Sequence, residues 1–94
     1  GVTGTNGKTT TTWLVRSILE ARQKSTGILG TVEYSDGATT EPASLTTPDS
    51  KSLARWLGAM VAAKTQFAAI ELSSHALDQQ RAAGVALDVA IVTN

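Results

Sequence analysis

The chain has 94 residues, of which 41% are hydrophobic and 17% are charged, so its composition is that of one small globular domain at most. Eight basic and eight acidic residues cancel without forming a basic run, which argues against nucleic acid or an anionic membrane as a partner. There is no cysteine for a disulfide or a thiolate metal site, and no segment typical of a signal peptide or a membrane span, so we expect a cytoplasmic location.

A glycine-rich loop near the start of the chain carries the clearest functional signal. Its residues are Gly4, Thr5, Asn6, Gly7, Lys8, Thr9 and Thr10. The two glycines allow the backbone to curl so that successive N–H groups face phosphate oxygens, and the helix that follows adds its positive end. Lys8 supplies a cation for the β- and γ-phosphates of a nucleotide, and the Thr9 hydroxyl is a ligand for Mg²⁺. These residues predict a nucleotide-phosphate loop.

The loop departs from the usual P-loop pattern, G-x-x-x-x-G-K-[ST]. That pattern places its first glycine at position 2, where this chain has Val2. The departure argues against an ordinary GTPase or kinase-like enzyme and favours a family with the shorter T-G-T-x-G-K-T loop. The alternative is a glycine-rich turn that only caps a helix. A Gly-Lys-Thr sequence followed directly by an amphipathic helix makes this the weaker interpretation.

The loop leads into the first predicted helix, which runs from residue 8 to about residue 22. Its apolar side chains recur at helical spacing, at Leu14, Val15, Ile18 and Leu19. We expect Trp13 to pack in the core and not to stack on a nucleotide base. A short strand over residues 25–29 follows.

Residues 31–48 form a long connection, which suggests internal structure or function. Asp36-Gly37 between residues 32–34 and 38–40 predicts a hairpin. A second helix then begins with Thr47 as its cap, Pro48 at the first position and Asp49 in the first turn. Its apolar side chains recur with helical spacing from Leu53 onward, so it extends to about residue 64.

The last third of the chain continues the alternation of strands and helices. Residues 67–72 read as a strand that is apolar on both faces, as in the centre of a parallel sheet. Ser73 or Ser74 can cap a short helix through Arg81 that ends at Gly84, and residues 87–93 read as the last strand. The fold class is therefore α/β: P-loop-containing, with a mostly parallel sheet and flanking helices.

Glu71 is the most informative residue outside the loop. It ends an otherwise apolar strand, at the edge where open parallel sheets bind their ligands. A carboxylate there is costly unless it is paired or bound to a metal. We interpret Glu71 as a Mg²⁺ ligand that faces the phosphates held by Lys8 and Thr9. The alternative is a strand-end carboxylate that simply meets solvent.

Several polar residues follow that strand. Ser73 and His75 are a poor candidate for a nucleophile pair, because no G-x-S-x-G elbow surrounds the serine. His75 is better explained as a hydrogen-bonding residue at a helix start. Arg81 can clamp a carboxylate or a phosphate with its planar guanidinium, or it can be a solvated cation at a helix end. Thr46 and Thr47 can likewise be caps and nothing more.

Taken together, these motifs resemble the Mur ligases, the ATP-dependent amide-forming enzymes of peptidoglycan synthesis. The opening G-V-T-G-T-N-G-K-T-T is shared with folylpolyglutamate and cyanophycin synthetases. Three further segments are more discriminating: residues 45–49 (L-T-T-P-D), residues 71–77 (E-L-S-S-H-A-L) with Gln79 and Arg81, and residues 92–94 (V-T-N). This combination resembles the UDP-N-acetylmuramoyl-tripeptide synthetases. The resemblance covers the whole chain.

The resemblance implies a role for each matching residue. ATP is expected at residues 4–10, with Lys8 and Glu71 as catalytic residues and Mg²⁺ on Thr9 and Glu71. The UDP-N-acetylmuramoyl-dipeptide is expected to bind Thr46, Thr47, Ser73, Gln79 and Arg81. The implied reaction phosphorylates the terminal carboxylate of that dipeptide and then joins an amino acid to it, with meso-diaminopimelate or lysine as the candidates.

The resemblance also implies that residues 1–94 are a fragment of the ATP-binding central domain, without the N-terminal uridine-binding and C-terminal domains. The remaining domains of the parent chain are then its partners, and we expect the isolated chain to be inactive. Three alternatives stay open. One is a folylpolyglutamate or cyanophycin synthetase, another is a P-loop module that binds a nucleotide without ligating, and the third is a partly folded structural fragment.

Overall fold

The computed structural model describes residues 1–94 and contains six strands and three helices. The strands are β1 (Val2–Thr3), β2 (Thr26–Leu29), β3 (Glu33–Ser35), β4 (Thr40–Pro42), β5 (Phe67–Ile70) and β6 (Ile91–Val92). The helices are α1 (Lys8–Ala21), α2 (Ser50–Ala62) and α3 (Ser74–Asp78). None of them has the length and hydropathy needed to cross a bilayer.

The strands form a mixed sheet. The order β4-β3-β2-β5 makes a four-stranded sheet, and β1 and β6 pair beside it. A parallel bridge between Val2 and Glu71 joins the two parts. The pairs β2–β5 and β1–β6 are parallel, whereas β3 is antiparallel to both of its neighbours. The α/β class is therefore confirmed, but two of the four strand pairs are antiparallel, so the prediction of a mostly parallel sheet is wrong. The predicted hairpin is β3–β4.

The Asp36-Gly37 turn closes that hairpin as the sequence predicts. The Asp36 carboxylate accepts hydrogen bonds from the backbone N–H groups of Ala38 and Thr39, at 2.8 and 2.6 Å. Gly37 has a φ of 95°, which favours glycine. The bond from Thr39, followed by that from Ala38, holds the pKa of Asp36 below its usual value.

The first helix forms where predicted, but its apolar face is only partly covered. Leu14 and Ile18 remain 57% and 65% exposed, while Val15 and Leu19 are half-buried. The prediction that Trp13 packs in the core is wrong. Its indole is half-buried, and the guanidinium carbon of Arg16 lies 5.2 Å from the ring centroid, a cation–π distance.

The second helix supplies one side of the core. Seven buried side chains form a single cluster: Leu29, Tyr34, Leu53, Trp56, Met60, Ile70 and Leu72. The predicted helical spacing of the α2 members is confirmed. Burying each such side chain contributes about 1.5–3 kcal/mol. The cluster holds β2 and β5 against α2 and so fixes where the carboxyl ends of these strands lie.

The predicted start of α2 is wrong by two residues. Its cap is Asp49, whose side chain accepts a hydrogen bond from the Ser52 N–H at 2.8 Å. Thr47 cannot cap this helix because its hydroxyl donates to the Glu71 carbonyl at 2.7 Å. The helix therefore begins after both Thr47 and Pro48.

The last elements are shorter than predicted. Ser73 caps α3, but the helix ends at Asp78 because Gln80 adopts a left-handed φ of 55° and the Arg81 N–H bonds back to the Ala76 carbonyl. The final strand covers only Ile91–Val92, since its partner β1 is two residues long. In β5 only Ala69 and Ile70 are buried, whereas Phe67 and Ala68 are exposed. The prediction of a strand that is covered on both faces along its whole length is therefore wrong.

Candidate functional site

A polar cavity lies where β1, β2 and β5 end. The glycine-rich loop follows β1, Gly30 and Thr31 follow β2, and Glu71 follows β5. The cavity has a volume of about 280 Å³ and no hydrophobic residue in its lining. Its lining residues are Thr5, Asn6, Gly7, Lys8, Thr9, Thr10, Thr31, Thr46, Glu71 and Ser73. Ligands of open α/β sheets bind at this edge, as the sequence predicts.

The glycines of the loop are required by its conformation and its surroundings. Gly4 has a φ of 128°, and a Cβ placed on it would lie 2.2 Å from the Thr93 hydroxyl oxygen and 2.7 Å from the Thr93 carbonyl oxygen. Gly7 has a φ of 88° and immediately precedes α1. Only glycine adopts these angles without strain. The loop is thereby packed tightly against the end of β6.

The backbone N–H groups of the loop fall into two sets. Those of Thr5 and Asn6 donate to the Asn94 carbonyl, at 3.0 and 2.9 Å, so they do not have the free N–H groups expected from the sequence. The N–H groups of residues 7–10 have no acceptor in the chain, and no side chain caps α1. Four free donors at the positive end of a 14-residue helix form an arrangement that binds anions.

Lys8 adds a positive charge beside these donors. It is half-buried, and its ammonium group donates to the Gly4 carbonyl at 2.6 Å, which folds the side chain back over the loop. The side chain thus lies at the cavity lining and is held by one backbone acceptor. Its remaining ammonium hydrogens can bind an anion.

Glu71 is completely buried, with 0% exposure, so the alternative in which it meets solvent is wrong. One carboxylate oxygen accepts from the hydroxyls of Thr9 and Thr31, at 2.9 and 3.1 Å, and the other accepts from the Thr31 N–H at 2.8 Å. No lysine or arginine forms an ion pair with this carboxylate. The two ion pairs of the chain join Arg16 to Glu20 and to Glu33. A buried carboxylate without a cation carries a desolvation cost of several kcal/mol. Its environment therefore favours a bound cation.

The residues around Thr47 form a second group beside the cavity. The Thr47 hydroxyl is buried and accepts from the Ser73 N–H at 3.1 Å in addition to donating to Glu71. Arg81 donates to the Thr47 carbonyl at 2.8 Å and to the Gln79 side-chain oxygen at 2.9 Å. Thr46 and Ser73 line the cavity itself. The structure thus joins four of the residues predicted for the second substrate in one hydrogen-bonded group, and the fifth, Thr46, precedes Thr47 in the chain.

The neighbouring histidine forms no nucleophile pair with a serine. His75 Nε2 lies 3.0 Å from the side-chain nitrogen of Gln79, and the Ser73 hydroxyl oxygen accepts from the Ala76 N–H at 3.1 Å. Ser73 is therefore a helix cap, and His75 is a hydrogen-bonding residue in the first turn of α3, as the sequence indicates.

A larger apolar cavity of about 530 Å³ lies between α1 and the segment that leads into β6. It contains none of the predicted site residues, and 14 of its 17 lining residues are hydrophobic. It lacks the convergent polar groups that the smaller cavity has. The residues predicted to bind a nucleotide therefore line the polar cavity and not this one.

Sequence analysis missed two residues of the site, Gly30 and Thr31. A Cβ on Gly30 would lie 2.1 Å from a Glu71 carboxylate oxygen, and Thr31 makes two of the hydrogen bonds to that carboxylate. The available signal was a Gly-Thr pair directly after an apolar strand. Thr31 is the first residue of the long connection predicted over residues 31–48, and it lies at the same sheet edge as Glu71.

Comparison with known proteins identifies the family to which the chain belongs. The Mur ligase middle domain family matches residues 2–94, and the chain belongs to this family. It is 49% identical over 94 residues to a UDP-N-acetylmuramoyl-L-alanyl-D-glutamate--2,6-diaminopimelate ligase of Geobacillus kaustophilus, covering 100% of this chain and 19% of that relative. It is 47% identical over 97 residues to a UDP-N-acetylmuramyl-tripeptide synthetase of Deinococcus radiodurans, covering 100% of this chain and 20% of that relative. The chain thus spans about a fifth of the length of these relatives.

Proposed function

We propose that this member of the Mur ligase family is part of the ATP-binding central domain of a longer ligase. That ligase would add a diamino acid, meso-diaminopimelate or L-lysine, to UDP-N-acetylmuramoyl-L-alanyl-D-glutamate. One observation carries the proposal: a polar cavity joins four free N–H groups at a helix start to a buried carboxylate that has no cationic partner. The relatives are named as diaminopimelate ligases and a tripeptide synthetase, and these names support the proposed substrates.

The phosphates of ATP would bind the P-loop formed by residues 4–10. The free N–H groups of residues 7–10 would donate to phosphate oxygens, and the Lys8 ammonium would neutralise the β- and γ-phosphates. These donors are already oriented by the loop, so little reorganisation is needed as charge develops during transfer. Lys8 is in this sense a catalytic residue.

Mg²⁺ fits the residues on the other side of the cavity. Thr9 and Glu71 supply a hydroxyl and a carboxylate, the hard oxygen donors that this ion prefers, and their oxygens are 2.9 Å apart. No second carboxylate or histidine completes a protein cage, so phosphate and water would supply the other ligands. When bound, the ion would neutralise phosphate charge during transfer.

The proposed reaction has two steps. An oxygen of the D-glutamate carboxylate bonds to the γ-phosphorus while the bond to the β–γ bridging oxygen breaks, giving an acyl phosphate and ADP. The amine of the amino acid then bonds to the acyl carbon, loses a proton, and displaces inorganic phosphate. This chain's residues would hold the phosphates in line for the transfer.

The acceptor would lie along Thr46, Ser73 and Arg81. Arg81 uses part of its guanidinium to hold Thr47 and Gln79, which leaves further N–H groups for a carboxylate or a phosphate of the nucleotide-sugar peptide. The Thr47 hydroxyl already forms hydrogen bonds with the Glu71 carbonyl and the Ser73 N–H, so Thr47 would contribute by positioning these two residues. Soluble nucleotide substrates imply a cytoplasmic enzyme, which has neither nucleic acid nor membrane as a partner.

The test is phosphate release by the intact ligase that carries this chain, with Mg·ATP, the UDP-linked dipeptide and a panel of amino acids. We expect release only when the acceptor and one diamino acid are both present, and the active amino acid names the second substrate. Release that ignores the dipeptide, or that responds to a folate or a dipeptide of aspartate and arginine, would contradict the proposal. The 94-residue chain alone should release no phosphate, since it spans only 19% of its relative's length.

A further inference from the structure

We propose that Thr31 is a positioning residue that orients the Glu71 carboxylate toward the cation and phosphates, and that Gly30 is glycine to let it do so. This inference rests on the proposed function. The pair lies between two parts of the cavity lining. The nucleotide side is formed by the loop of residues 5–10, and the acceptor side is formed by Thr46 and Ser73. Thr31 donates hydrogen bonds to the Glu71 carboxylate from both its backbone N–H and its side-chain hydroxyl, whereas Thr9 donates from its hydroxyl alone.

The two hydrogen bonds hold both carboxylate oxygens at once. The Thr31 N–H donates to Oε2 at 2.8 Å and the Thr31 hydroxyl donates to Oε1 at 3.1 Å. The terminal torsion of a glutamate is otherwise broad, so a carboxylate with one partner rotates freely. Two donors from one residue restrict that rotation, and Oε1 then has one further lone pair, which accepts from the Thr9 hydroxyl at 2.9 Å.

Gly30 makes this approach possible for reasons of space. A Cβ on Gly30 would lie 2.1 Å from Oε2 and 2.9 Å from the carboxyl carbon of Glu71, both shorter than any tolerated contact. Its φ does not lie in the left-handed region, so backbone conformation does not require glycine here. The missing side chain is what allows the Thr31 N–H to reach a fully buried carboxylate.

Thr31 also connects Glu71 to the acceptor side of the cavity. The hydroxyl oxygens of Thr31 and Thr46 are 3.2 Å apart. With its single hydrogen directed to Glu71, the Thr31 hydroxyl can accept a hydrogen bond from Thr46. A shift of Thr46 upon acceptor binding would therefore move the Thr31 hydroxyl and change the orientation of the Glu71 carboxylate. This predicts that loss of the hydroxyl affects both the cation and the acceptor.

The test uses the intact ligase and Mn²⁺ as the probe, measured by electron paramagnetic resonance with a non-hydrolysable ATP analogue. Thr31→Val removes the hydroxyl and keeps the shape and the N–H. We expect its Mn²⁺ dissociation constant to rise about tenfold, because a hydrogen bond to a charged group is lost. Thr31→Ser restores the hydroxyl and should bind within about twofold of wild type on the same ground. Thr40→Val, an exposed strand residue without a side-chain hydrogen bond, is the matched control.

Kinetics provide a second readout. In Thr31→Val the KM for the UDP-linked dipeptide should rise together with the Mg²⁺ requirement, whereas in Thr31→Ser and Thr40→Val both should stay near the wild-type values. Wild-type Mn²⁺ binding in Thr31→Val, or equal weakening in Thr31→Ser, would overturn the inference. If Thr31→Val fails to fold, the comparison passes to Thr31→Ala against Thr31→Ser. A wild-type enzyme without ligase activity overturns the proposed function and this inference together, whereas normal ligase activity in all Thr31 variants overturns this inference alone.

Discussion

Replacing Glu71 with glutamine separates the roles of its charge in catalysis and in folding. The change keeps the shape of the side chain and removes a negative charge that is buried without a cationic partner. Loss of a preorganised electrostatic contact of this type costs about 10²–10³-fold in rate, or about 2.7–4 kcal/mol. We expect kcat/KM for Mg·ATP in the intact ligase to fall by that factor.

The expected effect of the same change on stability is small, because two terms oppose each other. Three hydrogen bonds to a charged acceptor, worth about 1.5–3 kcal/mol each, become weaker bonds to an amide. Against this, glutamine avoids the desolvation of an unpaired carboxylate, which costs several kcal/mol. Without Mg²⁺ and nucleotide, the two proteins should therefore differ by less than about 2 kcal/mol by these magnitudes.

The stability gained on ligand binding should distinguish the wild type from Glu71→Gln. At 100 times the dissociation constant of Mg²⁺ with a non-hydrolysable ATP analogue, the wild type should gain about 2.7 kcal/mol. The glutamine variant should lose at least half of this gain at the same concentration. Thermal denaturation with and without the ligand measures both values, with Glu41→Gln, an exposed carboxylate on β4, as the control. A Glu71→Gln enzyme with wild-type kcat/KM and the full ligand-induced gain would refute the reasoning.

Three further predictions concern the loop, the hairpin and α2. Gly4→Ala should abolish nucleotide binding by displacing the loop, since its Cβ would meet Thr93 at 2.2 Å, whereas Gly58→Ala, with no atom within 4 Å, should raise stability by about 0.5–1 kcal/mol; equal nucleotide affinities in titration calorimetry would contradict this. The pKa of Asp36 is lowered in the folded state, so its contribution to stability is present above its unfolded pKa and lost as pH falls through the folded one. A carboxyl NMR titration checks this, and an unshifted midpoint would exclude it. Asp49→Ala should destabilise the protein by about 1 kcal/mol through loss of the α2 cap, with Asp49→Asn nearly neutral in thermal denaturation; equal losses in both variants would argue against capping.

The apolar face of α1 differs between the predicted and the observed fold, because part of it is not packed against another segment. The sequence predicts a helix with an apolar face at Leu14 and Ile18, and the helix is present, but these two side chains are more than half exposed. Periodicity reports which face is apolar, and does not report whether this chain contains the segment that covers it. The relatives are about five times longer than this chain, since it covers 19% of one of them.

What the sequence determined by itself is local in the chain. The loop glycines, the start of α1 and the Asp36 turn each depend on conformational preferences and hydrogen bonds within a few residues, and each formed where predicted. The position of Glu71 at a strand end was also readable, because an apolar run that stops at a carboxylate marks the edge of a sheet. Its complete burial followed from the fold.

Only the tertiary structure decided which residues meet around that carboxylate. Thr31 reaches Glu71 across 40 residues and Thr9 reaches it across 62, through the order and register of β1, β5 and β2. Because of the same packing, the Thr47 hydroxyl donates a hydrogen bond to the Glu71 carbonyl and does not cap the start of α2. Local propensity cannot choose between two such partners, because the cost of leaving a buried polar group without a hydrogen bond exceeds the gain from one helix cap.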